Sequence, residues 1–356
     1  MAETGLPPAA RRALVTAAVM IVFLGLHEAS VVVAPALIAL LIATALIPLQ
    51  RWLTHRTGRV SGYVATLAIA IIIIAGVAAL SGVAVAGFLD LMPTYANRTD
   101  DVSAQANRLL VPSGLNVSEI SDLVRKRAGD NVEVALGAAG LAAQGAAAFG
   151  VVLLLAAFVL ADAIRLPEKT SALDSLSPGS VERLNSLVHE VRDYLKITGI
   201  GGLIVGAGCT VLYLALGVDL AILWGVLLAV LTFVPYLGFY IALVPPVVLV
   251  SFERGLTWGL IAFFGAILIH TAVSSIIKPK LISGELNLSP FTVTFSLILW
   301  SFVFGPLGAI LAVPLTLAIA RMLVDSEPSL AWLSTLMRRK PDKKVVASGV
   351  RLREGA

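Results

Sequence analysis

From Val60 to Leu89 no side chain is charged, and the same holds from Val31 to Gln50, Ile197 to Val218, Leu220 to Phe252, Gly255 to Ile277 and Leu286 to Ala320. Runs of this length limit the fold more than any other feature, because about 20 apolar residues are what an α-helix needs to cross a hydrocarbon core about 30 Å thick. A closed transmembrane barrel would instead show alternating segments of about 10 residues. Two more stretches complete the set of eight: Ala13 to Leu26, ahead of His27 and Glu28, and Asn131 to Ala161, interrupted only by Glu133. With 13% charged residues against roughly a quarter in soluble domains, and a mean hydropathy of +0.94, the chain reads as an all-α, polytopic membrane protein.

Charge sets the expected sidedness. The net charge of +4 comes from the tail, where Arg338, Arg339, Lys340, Lys343, Lys344, Arg351 and Arg353 outnumber Asp342 and Glu354. Beside membrane spans such a tail marks the cytoplasmic face and anionic lipid rather than nucleic acid. Arg51, His55, Arg56 and Arg59, between the second and third segments, mark the same side. The first two segments are expected to form a tight pair broken at His27 and Glu28, and no small-residue cleavage site suggests removal of the first as a signal peptide. The single cysteine, Cys209, excludes an intrachain disulfide, and four histidines without a Cys/His cluster argue against a zinc site.

The expected order is residues 1–91 as spans one to three, 92–130 as a polar external insert, 131–161 as span four, 162–196 as a cytoplasmic amphipathic segment, 197–323 as a transport core and 324–356 as a basic cytoplasmic tail. Within the amphipathic segment Val181, Leu184, Leu187, Val188, Val191, Tyr194 and Leu195 recur at helical spacing, leaving Glu190, Arg192 and Asp193 for a solvated face.

Two runs are too long for one span and are interrupted. Leu220 to Phe252 contains Pro235, Gly238, Pro245 and Pro246; Leu286 to Ala320 contains Gly305, Pro306, Gly308 and Pro314. Each divides into pieces of about 15 residues, about 22 Å of helix and short of the core thickness. The breaks read alike: FVPYLG from Phe233 to Gly238 is followed seven residues later by Pro245, and FVFGPLG from Phe302 to Gly308 six later by Pro314. The expected architecture is about six full spans plus two broken helical hairpins in an inverted repeat, a layout that puts substrate sites near the midplane. Eight full spans give the same parity, so charge alone does not choose between them. Gly308 is expected to turn the chain with dihedrals available chiefly to glycine.

The stretch IIKPKLISGELNLSPFTVTFSLILWSFVFGPLGAILAVPLTLAIARML (Ile276 to Leu323), with AILWGVLLAVLTFVPYLGFYIALVPPVVL before it, resembles the autoinducer-2 exporter-like (AI-2E) family of bacterial inner-membrane proteins. PKL, GELNLSP, FGPLG and AVPL in that order carry the resemblance, while similarity in segment order spans nearly the whole chain. The resemblance implies a multi-pass transporter of the bacterial inner membrane, an exporter of autoinducer-2 in some relatives and a monovalent cation/proton antiporter in others, with homopentameric assembly. Where relatives often carry Asn or an acidic residue before a Pro-Arg-Leu motif, this chain has Ser274, Ser275 and Lys280.

No carboxylate lies inside the runs of the core, and Asp90, Asp162, Asp219 and Glu253 sit at segment ends as interface anchors. That pattern favours a neutral solute over proton-coupled exchange. Polar groups near the breaks (Thr232, Tyr236, Ser274, Ser275, Asn287, Ser289, Thr292) suit a small polar organic solute, because hydroxyls and amides exchange hydrogen bonds with it without a buried charge. Thr294 belongs to the same group. His270 is the histidine deep in a span, and Pro235, Gly238, Gly305, Pro306 and Gly308 form the gates. Gly202 and Gly206, as G-x-x-x-G, permit close helix packing. No phosphate loop, nucleophile elbow, metal motif or catalytic acid pair appears, so neither an enzyme nor a cofactor is expected. The expected function is export of an autoinducer-2-like solute by alternating access; the alternatives are an ion/proton antiporter of the same fold and a non-transporting scaffold.

Overall fold

The computed structural model describes residues 7–96, 149–163, 180–277, 288–324 and 330–338. Its described residues are helical throughout their regular structure. In chain order the helices are α1 (Pro8–Glu28), α2 (Ser30–Thr57), α3 (Arg59–Ala96), α4 (Phe149–Ala163), α5 (Ser180–Ala215), α6 (Ala221–Leu231), α7 (Leu237–Arg254), α8 (Leu256–Ala272), α9 (Pro290–Phe304), α10 (Pro306–Ile319) and α11 (Ala331–Met337). Helices α8 and α10 each end in a π-helical turn, Val273–Ile277 and Ala320–Val324.

Among the described residues four helices are long and apolar enough to cross a membrane: α2, α5, α7, and α8 with its π-turn. Large apolar side chains such as Met20, Ile21, Phe264, Leu268 and Phe302 are exposed. Water would penalise so much exposed apolar surface, whereas hydrocarbon does not. The protein is therefore a multi-pass membrane protein.

Two joints differ from expectation. The pair expected at His27 and Glu28 is not a hairpin: one residue, Ala29 (φ −81°, ψ 2°), separates α1 from α2, and with near-helical dihedrals, its N–H on the Gly25 carbonyl and its own carbonyl accepting from Val33, it carries the helical ladder across the joint instead of reversing the chain. The sharp turn comes instead at Gly58, with φ +94°, and Gly62 lies against the Thr54 backbone. The amphipathic stretch is likewise no separate element, because α5 runs for 36 residues straight through Lys196 and Ile197. A change from polar to apolar residues does not by itself end a helix, and the chain stays helical through Gly199, Gly201 and Gly202 just beyond.

The chain divides into two compact units, one of Met1–Thr44, Leu154–Val191 and Leu286–Ala356, the other of Ala45–Leu153 and Arg192–Glu285. In the second, Val205 and Tyr213 of α5, Trp224 and Leu228 of α6, Leu243 of α7 and Ala262 of α8 share one apolar core. Gly202 and Gly206 fit the backbone of α6 at Ala229 and Gly225, so the G-x-x-x-G pair packs two helices of one chain. In the first unit α9 packs along α10, and α1 against α9.

Both interrupted runs fold as helix–turn–helix hairpins. The first, α6 and α7, has arms of 11 and 18 residues; the second, α9 and α10, has arms of 15 and 14. At 1.5 Å per residue, all but α7 fall well short of about 30 Å. Pro245 and Pro246 do not interrupt the first hairpin but lie inside α7.

Candidate functional site at the hairpin tips

The first tip lies in the second unit. After α6 the amides of Phe233 and Val234 bond three residues back, to Val230 and Leu231, tightening the last turn. Pro235 brings no amide. Tyr236 then takes φ 61° and ψ −44°, and the Leu237 N–H donates to the Pro235 carbonyl at 2.6 Å. That is a γ-turn of the rare positive-φ form, strained for a residue with a side chain. Gly238 follows with its Cα against the Leu231 carbonyl, where a Cβ would overlap the oxygen. The buried Tyr194 hydroxyl of α5 donates to the Phe233 carbonyl at 3.3 Å.

His270 joins this tip. Its ring stacks on Phe239, one residue past Gly238, with centroids 4.0 Å apart and planes at 20°. Ser274, one turn on, is half-buried and Ser275 exposed, both in the π-helical turn that ends α8. Such turns widen the backbone ring and recur at functional sites. The Thr232 hydroxyl donates to the Leu228 carbonyl at 2.7 Å, so it is engaged with its own helix.

The second tip, in the first unit, uses the same parts. Helix α9 stops at Phe304; Gly305 takes φ 62° and ψ −147°, open in practice only to glycine, and Pro306 begins α10. Gly308 is not the residue with the special dihedrals. Its backbone is helical and donates to the Gly305 carbonyl at 2.9 Å, and it must be glycine because a Cβ would overlap the Trp300 carbonyl. Trp300 also donates from Nε1 to the Thr316 hydroxyl at 3.2 Å, a buried bond across the two arms. His27 of α1 reaches the carbonyls of Phe302 and Val303.

Ser289 and Thr292 lie far from this tip. Ser289 caps α9, accepting from the Thr292 N–H at 3.2 Å with the two hydroxyls 2.8 Å apart. From Thr292 to Gly305 is about 20 Å along the helix. Thr294 bonds back to the Pro290 carbonyl. Asn287 lies outside the described residues, as do Lys280 and most of the insert beyond Ala96. The structure thus gathers Thr232, Pro235, Tyr236, Gly238 and His270 at one tip and Gly305, Pro306 and Gly308 at the other, and leaves the Ser289–Thr292 pair at the base of its hairpin.

Glu190 is not simply solvated. It is ion-paired with Arg321, Nε to Oε1 at 2.9 Å, tying α5 to the π-helical turn after α10. An open cavity of about 840 Å³ beside the pair is lined by Val181, Glu182, Asn185, Ser186 and His189 together with the pair itself, and contains none of the substrate or gate residues expected from sequence. Among the described residues no group of three His, Cys, Asp or Glu could hold a metal ion. The contacts made by Tyr194, His27, Trp300 and Arg321 escaped sequence reasoning, since each reaches a partner on another element.

A sequence model described as AI-2E family transporter matches residues 14–326. A transport protein of Haemophilus influenzae is 29% identical over 341 residues, covering 92% of this chain and 96% of that protein. The AI-2 transport protein TqsA of Escherichia coli is 27% identical over 307 residues, 84% of this chain and 88% of its own. The Escherichia coli transport protein YhhT is 26% identical over 306 residues, 84% and 86% respectively.

Proposed function

The chain belongs to the AI-2E family of transporters, and from that premise we propose that it is a secondary exporter of a small polar organic solute of the autoinducer-2 kind, working by alternating access with the hairpin tips as its gates. The matched family is described as one of transporters, and TqsA as a transport protein, which supports transport as the activity. One observation carries the gate assignment. Each tip combines a residue at positive φ (Tyr236, Gly305), a glycine seated on a carbonyl of the opposite arm (Gly238, Gly308) and a histidine stacked on a phenylalanine (His270 on Phe239, His27 on Phe302). Strain and broken helices persist where the backbone has work beyond folding, and irregular backbone at membrane depth belongs beside cavities. Stacked imidazoles and the phenol of Tyr236 offer neutral hydrogen bonds and ring faces to an uncharged polar solute.

The same reading puts the protein in the bacterial inner membrane as a homo-oligomer, with lipid or a neighbouring copy on its exposed apolar faces and the tail in the cytoplasm. The test is flux of autoinducer-2 through purified protein in liposomes. Gly305→Ala and Tyr236→Gly should change that flux with insertion unchanged. Cation-driven proton movement without autoinducer-2 flux would assign the antiporter activity instead, and absence of both fluxes would remove the transport mechanism proposed.

A further inference from the structure

Because α9 stops at Phe304, the carbonyls of its last turn have no amide four residues ahead to accept from. In an apolar setting such oxygens need a donor from another element. His27, in the last turn of α1, supplies one: Nδ1 lies 3.0 Å from the Phe302 oxygen and 3.1 Å from the Val303 oxygen. Both partners can only accept, so Nδ1 carries the hydrogen and shares it between them. The imidazole stacks on the Phe302 ring with centroids 5.6 Å apart, and one turn earlier Phe23 lies 6.1 Å from Trp300. The donor thus grips α9 two and three residues before Gly305, the residue whose dihedrals make the turn.

We propose that His27 is the positioning residue of the second hairpin tip: its single N–H holds the Phe302 and Val303 carbonyls, and with them the Gly305 turn, in one of the two arrangements between which transport alternates. This rests on the reading of the tips as gates. A backbone ladder would have to unfold to let the tip move, whereas one side-chain donor at an exposed position lets go by a rotamer change. The stack and the Phe23–Trp300 contact keep the ring over its acceptors, so the bond re-forms in the same place.

The experiment uses the full-length chain in liposomes, with Cys209→Ser and Leu307→Cys, since Leu307 is exposed beside Pro306. A membrane-impermeant maleimide reports how far the tip is uncovered. His27→Phe keeps a ring on Phe302 but donates nothing, and should change the labelling rate about 2- to 10-fold, the effect of one ordinary hydrogen bond. His27→Asn keeps an N–H near the Nδ1 position and should label within about twofold of the unmutated chain. Packing alone would predict the reverse order. Unchanged labelling in His27→Phe, or a change in His27→Asn as large as in His27→Phe, overturns the proposal. The two readings can also fail separately. Labelling that follows the donor with autoinducer-2 flux unaffected by either variant leaves His27 positioning the tip and removes the gates; flux that responds to Gly305→Ala with labelling indifferent to His27 keeps the gates and removes His27.

Discussion

Glycine is required at the second tip for two separate physical reasons, and substitutions tell them apart. Gly305→Ala meets no neighbouring atom but must hold φ 62°, a cost of about 1 to 3 kcal/mol. If only one transport state uses those dihedrals, the balance of states shifts about 5- to 150-fold, so flux should fall by that order while the protein still inserts. Gly308→Ala has ordinary dihedrals and instead pushes a methyl group onto the Trp300 carbonyl, forcing the arms apart; it should lower the melting temperature in detergent, by about 1 to 3 kcal/mol of overpacking. At the first tip, Tyr236→Gly relieves the γ-turn and should raise thermal stability by about 1 kcal/mol after glycine's own entropic cost, while altering flux. That a turn lay at each of these places was legible in the sequence, because Pro and Gly are the residues that break helices. Which glycine carried the dihedral was not. The motif FGPLG offers two candidates, and only the path of α10 distinguishes the one that turns from the one that packs.

Elements were legible wherever their rules are local. Long uncharged runs became helices, and the apolar spacing from Val181 onward lies on a helix, α5. The joints placed differently, Ala29 and Lys196–Ile197, were inferred from a change of polarity, and a change of polarity alone does not end a helix. Donors across elements were illegible for a different reason: His27 and Phe302 are 275 residues apart, and no pattern in either neighbourhood names the other. Trp300 and Thr316 illustrate the energetic side. Thr316→Val keeps the volume but leaves the buried Nε1–H of Trp300 unpaired, so it should lower stability by about 1 to 3 kcal/mol in thermal unfolding. Trp300→Phe combined with Thr316→Val should cost less than the sum of the single changes, because together they remove both ends of one bond.

For the whole molecule, the short first arm has a consequence for sidedness. Helix α6 is 11 residues long, too short to cross, and a re-entrant hairpin has the chain that enters there return with α7. Cysteines at Asp219 and Glu253, in a Cys209→Ser background, should react with an impermeant reagent from the same side of the membrane; labelling from opposite sides would rule out the returning hairpin.

The glycines seated on carbonyls bear on how such a hairpin can move. At Leu231–Gly238 and at Trp300–Gly308 the arms meet backbone to backbone, too close for even a methyl group to fit between them. Close contacts of this kind have no slack: a hairpin joined in this way cannot open like scissors at its tip without losing dispersion contacts that nothing in the membrane replaces. Its arms would tilt or slide together, with the change of dihedrals confined to the turn, and the solute's path would widen by displacing a wedge rather than by parting two blades.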